Sequence, residues 1–150
     1  MRCFLFSILM LSSPGAIPWY SEFGNEISGV GAYDTTGHQY ILIAFNRSEN
    51  CNSASLWLDG SLRDESFSDK SQNTKAILKV DNYSDWNLLF DYIETDNWLT
   101  GFWVLKQEVP LGIVRQLRKG NLLTISIGVN KHSWSLVGSN AAMKSAYNAC

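Results

Sequence analysis

Residues 75–92 read KAILKVDNYSDWNLLFDY, and they decide the fold. Within Lys75–Asn82, Ala76, Leu78 and Val80 face one way, while Lys75, Ile77 and Lys79 face the other. A side-chain period of two belongs to a strand with one face on a core. Asn82-Tyr83-Ser84 supplies a turn, and Asp85–Tyr92 carries a second strand signal after it.

The same signals recur on both sides. Upstream, Ile27–Tyr33 reads as one short strand in a Gly-rich lead-in, and His38–Phe45 (HQYILIAF) is a β-branched and aromatic run. Asn46–Ser53 is a polar turn. Ala54–Asp59 is a short strand with Leu56 and Leu58 on one face and Trp57 on the other; Gly60–Gln72 is polar and loop-like. Downstream, Trp98–Leu105 (WLTGFWVL) is a strand with Gly101 in its middle, the signature of a bulge or a close approach. Val109-Pro110 opens a helix, because the missing N–H of proline has no partner to lose in the first turn. Ile113, Val114 and Leu117 keep helical spacing, and Gly120 closes the helix. Asn121–Val129 and His132–Val137 read as a hairpin turning at Gly128–Lys131. Gly138-Ser139-Asn140 then caps a last helix, Ala141–Cys150.

This order predicts a mainly β domain, a sandwich or open barrel of about 7–8 strands with one inserted short helix and a C-terminal helix. An α+β sheet with both helices on one face is the alternative. Composition agrees. The chain has 150 residues, 45% hydrophobic and 17% charged, with 13% aromatic and 6 Trp. That suits one domain with a core rather than a disordered chain.

The N-terminus has a different character. Arg2 is followed by an uncharged apolar run, Cys3–Leu11 (CFLFSILML), and then by the small residues and breaker Ser12–Ala16. This is the layout of a secretory signal peptide, and cleavage after Gly15 or Ala16 fits it. The expected organisation is a signal peptide over 1–16 and a single strand-rich domain over 17–150, in the periplasm or secreted. The run falls short of the roughly 20 apolar residues a membrane-spanning helix needs. Cys3 would leave with the signal, and Cys51 with Cys150 would form a disulfide in an oxidising compartment. Closing so long a loop stabilises by about 4–5 kcal/mol in the chain-entropy model.

The formal net charge is -2, and losing Arg2 takes it to -3, with no basic stripe on the domain. Arg115, Arg118 and Lys119 fall in the last turn of the first helix, where cations suit the helix dipole. Nucleic-acid binding needs clustered Lys and Arg and is not expected.

Two C-terminal stretches carry a family resemblance. Leu117–Leu123 (LRKGNLL) is a helix end, a Lys-Gly turn and a strand start; Trp134–Ala142 (WSLVGSNAA) is a strand running into a Leu-x-Gly-Ser-x-x-Ala helix start, with Cys150 beyond. This third of the chain resembles the invasion-associated locus B family of exported bacterial domains. The resemblance implies a periplasmic, non-enzymatic envelope protein of strand-rich fold ending in a Gly-initiated helix, and it brings no catalytic residues.

No stretch carries a catalytic motif. The Gly-x-Ser-x-Gly elbow is absent, and the histidines His38 and His132 both open strands. Asp64-Glu65 and Asp91 with Glu94 are the carboxylate pairs a glycosidase could use; neighbours on an extended chain point opposite ways, so solvated charge is the simpler role. The cysteines lack the four-ligand pattern of a structural zinc site, and no cofactor is implied. Trp57, Trp86, Trp98 and Trp103 are the candidate binding surface, provided that Trp57 and Trp103 face outward on neighbouring strands. Asn46-Arg47-Ser48 and Asn82-Tyr83-Ser84 match the N-glycosylation triplet. The leading expectation is therefore an exported, non-catalytic domain that binds an envelope or secreted protein. A secreted hydrolase, and an inhibitor or immunity-type protein using the Gly60–Gln72 loop, are the alternatives.

Overall fold

The computed structural model describes residues 18–60, 73–94 and 101–150. The expected signal segment 1–16, Trp98, the Asp64-Glu65 pair and all but the first residue of the Gly60–Gln72 loop lie outside them. The chain is mainly β, as its periodicity requires. Among the described residues nine strands run in order: β1 (Tyr20–Phe23), β2 (Ile27–Tyr33), β3 (Tyr40–Asn46), β4 (Ala54–Asp59), β5 (Thr74–Val80), β6 (Trp86–Ile93), β7 (Phe102–Leu105), β8 (Leu122–Ile127) and β9 (Asn130–Ser135). Helix α1 (Leu111–Lys119) follows β7, and helix α2 (Ser139–Asn148) follows β9.

All nine strands belong to one antiparallel sheet, ordered β1-β2-β3-β4-β7-β6-β5-β8-β9, which curls into a half-barrel. The open-barrel form of the expectation holds, with a single curled sheet in place of two stacked ones. β1 is the strand the sequence reading missed. Its four residues, YSEF, lack apolar alternation, and pairing Tyr20 with Gly31 and Phe23 with Ser28 is what extends them. A 3-10 turn, Arg47–Glu49, sits in the expected polar turn, its start capped by the Asn46 side chain accepting from Ser48 N.

The inner face follows the alternation. Ile41, Ile43 and Phe45 of β3, Leu56 and Leu58 of β4, Ala76, Leu78 and Val80 of β5 and Leu123, Ile125 and Ile127 of β8 are all buried in one core. Both helices contribute to it, through Ile113, Val114 and Leu117 of α1 and Ala142, Met143 and Ala146 of α2. Area burial of this kind is the main favourable term in folding.

Polar bonds fix the helices on that face. Buried Ser28 Oγ donates to Ala146 O at 2.8 Å. Ser139 does not cap its own helix; its hydroxyl donates to Leu117 O at 2.7 Å, satisfying a carbonyl in the last turn of α1. Cys51 and Cys150 are disulfide-bonded, with Cα atoms 6.0 Å apart across a separation of 99 residues. The bond ties the β3–β4 turn to the chain beyond α2, as the cysteine arithmetic anticipated. α1 ends at Gly120, but in extended backbone rather than the left-handed cap its glycine suggested; its N–H still reaches Gln116 O at 2.7 Å.

Gly101 is a close approach. A Cβ there would lie 2.1 Å from Ile93 O, and one on Gly60 would lie 2.1 Å from Gly101 O. The backbones at the ends of β4, β6 and β7 therefore meet without side chains between them, held by Gly60 N to Gly101 O at 2.8 Å and Gly101 N to the Tyr92 hydroxyl at 2.9 Å.

Candidate functional site

Register decides which side chains leave the core. Along β3, the partners of the buried Ile41, Ile43 and Phe45 alternate with Tyr40, Leu42 and Ala44, which face outward. Three rows then cross the outer face. One holds Tyr40, Asp59 and Phe102, the next Leu42, Trp57 and Val104, and the third Gly29, Ala44 and Ser55. Rings stand on either side of small residues, and a trough of about 240 Å³ opens between them. Leu42 and Ala44 form its floor, Trp57 and Phe102 one wall, and Ile27 and Tyr40 the other, with Asp59 at one end.

β2 makes room for this. Tyr40 lies over Gly31, where a Cβ would come within 1.9 Å of the tyrosine hydroxyl. Tyr40 packs against Tyr33 at 5.1 Å and Tyr20 at 6.0 Å, and its hydroxyl donates to Glu22 Oε1. Burial, and then the bond to the Glu22 carboxylate, push the Tyr40 phenol well above the ordinary tyrosine range. The Trp57 indole N–H donates to Ser55 Oγ at 2.7 Å, so it too is satisfied within the protein.

A second hollow, of about 250 Å³, shares Ala44 with the trough and adds polar side chains to an apolar lining of Ala54 and Leu105. Asn46, Ser53, Ser55, Gln107 and Glu108 line it. The two hollows thus adjoin at Ala44, the first lined by hydrocarbon and aromatic rings, the second carrying amides and hydroxyls.

The three described tryptophans of the candidate surface, Trp57, Trp86 and Trp103, do not share one face. Trp57 faces outward and is half-buried in the trough. Trp103 sits beside it, opposite Leu58 on β7, but on the inner face; it is 0% exposed. The condition that both face outward therefore fails, and Trp103 is a core residue. Trp86 is on the inner side against α1, its indole N–H donating to Gln116 Oε1 at 2.9 Å. Sequence reasoning missed Tyr40, Ala44 and Phe102. The readable trace of them is glycine at alternate positions 29 and 31 of β2, space for a neighbour's ring on the outer face.

His132 has a partner that 98 residues of separation concealed. Its Nδ1 lies 2.9 Å from Asp34 Oδ2. Asp34 is buried and also accepts from the Thr36 hydroxyl at 2.8 Å and from the backbone N–H groups of His38 at 3.0 Å and Gln39 at 3.1 Å. Burial alone would raise this carboxyl, but the bonds from His132, Thr36, Gln39 and His38 outweigh it and hold the group at about 2. Thr35 N to Ser133 O at 2.8 Å and Trp134 Nε1 to Gln39 O at 3.2 Å join the same two segments. The pair is a clasp between the β2–β3 turn and β9. Its carboxylate is committed to backbone and threonine, and Ile125 is the cross-strand neighbour of its imidazole.

Asp91 also has a structural setting: it accepts from Asn73 N at 2.8 Å and lies 3.7 Å from Lys106 Nζ. Among the described residues, no cluster of three His, Cys, Asp or Glu side chains could hold a metal ion, and no helix is long and apolar enough to cross a membrane. No protein-family model, curated protein or solved structure matches the chain.

Proposed function

We propose that the chain is an exported, non-catalytic binding domain that recognises another envelope or secreted protein through the outer face of β1, β2, β3, β4 and β7. The observation that carries this reading is the apolar character of that face. Tyr20 is 39% exposed, Ile27 49% and Tyr33 42%, around the half-buried rings of the trough. Contiguous exposed apolar surface of this kind marks interaction sites in soluble domains. The one His–Asp pair found is spent on closing the fold. The apolar N-terminal run and the disulfide fit an oxidising, exported setting. The resemblance of the C-terminal third to the invasion-associated locus B family points the same way.

Affinity capture from the native envelope or culture medium tests the reading. The unaltered protein is expected to retain a stoichiometric protein partner, and an Ile27→Asp/Tyr33→Asp variant with unchanged unfolding midpoint is expected to lose it. Equal recovery by both would overturn the assigned face. Repeated failure to recover any partner would overturn protein binding. The intact mass of the exported protein, alkylated before and after reduction, tests the compartment.

A further inference from the structure

We infer that the trough and the adjoining hollow form one binding site for a small single-chain amphiphile, with a hydroxyl-bearing, non-anionic head on a hydrocarbon tail. The inference goes beyond the protein-partner reading and does not rest on it.

The trough selects the tail. Its walls are rings and aliphatic side chains, and its two polar side-chain atoms on rings are already used: the Trp57 indole by Ser55 and the Tyr40 hydroxyl by Glu22. A sugar or a peptide backbone placed against these rings would lose hydrogen bonds to water that rings and aliphatic side chains do not replace, which is costly. A hydrocarbon chain loses nothing. From Tyr40 to Ala44 the trough runs four residue steps of β3, roughly 13 Å at about 3.3 Å per residue.

The hollow selects the head. It shares Ala44 with the trough, so the head of a chain lying in the trough is brought beside it. Asn46, Ser53, Ser55 and Gln107 offer amide and hydroxyl groups, which suit a polyol. Charge argues against an anionic head. Glu108 lines the hollow, and Glu49 bonds Ser53 at its margin. Arg47, the cation that follows Asn46, is turned to Gly24 O at 2.8 Å. Ser55 joins the two halves, accepting from Trp57 on one side and lining the hollow on the other.

The test is calorimetric titration of the purified, disulfide-bonded protein with monomeric alkyl maltosides, below their micelle concentrations. Decyl maltoside is expected to bind at one site per chain, with affinity rising about fourfold per methylene until the trough is full. Sodium decanoate is expected to bind at least tenfold more weakly. Ala44→Leu, which fills the junction on the outer face, is expected to weaken decyl maltoside at least tenfold with no change in unfolding midpoint. Gln107→Leu, an exposed position in the hollow alone, is expected to narrow the gap between maltoside and decanoate. Equal affinity for maltoside and decanoate, no response to Ala44→Leu in a folded variant, or binding to phosphatidylcholine vesicles without binding to monomers would each overturn the site. Loss of the captured protein partner with maltoside binding intact would separate failure of the earlier reading from failure of this one.

Discussion

The two faces of β3 and β4 are made of the same strands and obey different rules. Inward, Ile41, Ile43, Phe45, Leu56 and Leu58 are each 0% exposed and share one core with helices pinned by Ser28, Ser139 and the disulfide. Outward, Tyr40, Leu42, Ala44 and Trp57 surround a depression, and glycines replace side chains at positions 29 and 31. The difference teaches that bulk on this sheet is not spread evenly. The inner face is filled to hold the fold, and the outer face is hollowed where filling it would have cost little.

The strongest challenge to that contrast sets one tryptophan against the other. Trp103→Ala is expected to destabilise by about 3–5 kcal/mol, the range for removing a buried aromatic, in urea unfolding. Trp57→Ala is expected to cost about 1 kcal/mol, as suits a half-buried outer residue. Similar losses at the two positions would break the assignment of faces.

Replacing both Cys51 and Cys150 by Ser is expected to cost about 2–4 kcal/mol, read as a lower midpoint in the same experiment. The loss belongs to the inner face, so Trp57 fluorescence in the folded variant should stay unchanged.

Acid sharpens the comparison further. The Asp34 carboxyl is held at about 2, against 3.8 ordinarily, so its contribution is complete above the unfolded value and is lost as pH falls through the folded one. Between about pH 4 and pH 2 the protein should lose on the order of 2 kcal/mol through this group. Asp34→Asn should flatten that part of the stability profile; an unchanged slope would remove Asp34 from the clasp. Smallest is Gly31→Ala, where the tyrosine ring can give way: about 1 kcal/mol or less in stability, but a displaced Tyr40 and a changed emission from the trough.

Much of the inner face was legible before any coordinates. Lys75–Val80 alternates, so its buried set could be read directly, and Leu56, Trp57 and Leu58 gave the correct sides of β4. β7 could not be read that way. Phe102, Trp103, Val104 and Leu105 are all apolar, so nothing in the string distinguishes inward from outward until Leu58 pairs with Trp103. The site was less legible. A trough is a property of three neighbouring strands, and Tyr40, Trp57 and Phe102 become neighbours only through register. The clasp joins residues with no local relation, although Asp34-Thr35-Thr36-Gly37 is turn chemistry that invites a carboxylate to accept backbone N–H groups.

The seam where the half-barrel is drawn together also sets a pace. Trp19 bonds Ser135 across 116 residues, Ser28 bonds Ala146 across 118, and Trp134 reaches Gln39 across 95. None of these links repays its loop-closure entropy until most of the chain is already in place, so topology makes this a slow folder, in the range of milliseconds to seconds typical of non-local β proteins. The first four strands pair in chain order, while the helix that packs on β1 and β2 is drawn from the far end of the sequence. Until that helix docks, the apolar side of these strands is uncovered, and self-association competes with folding.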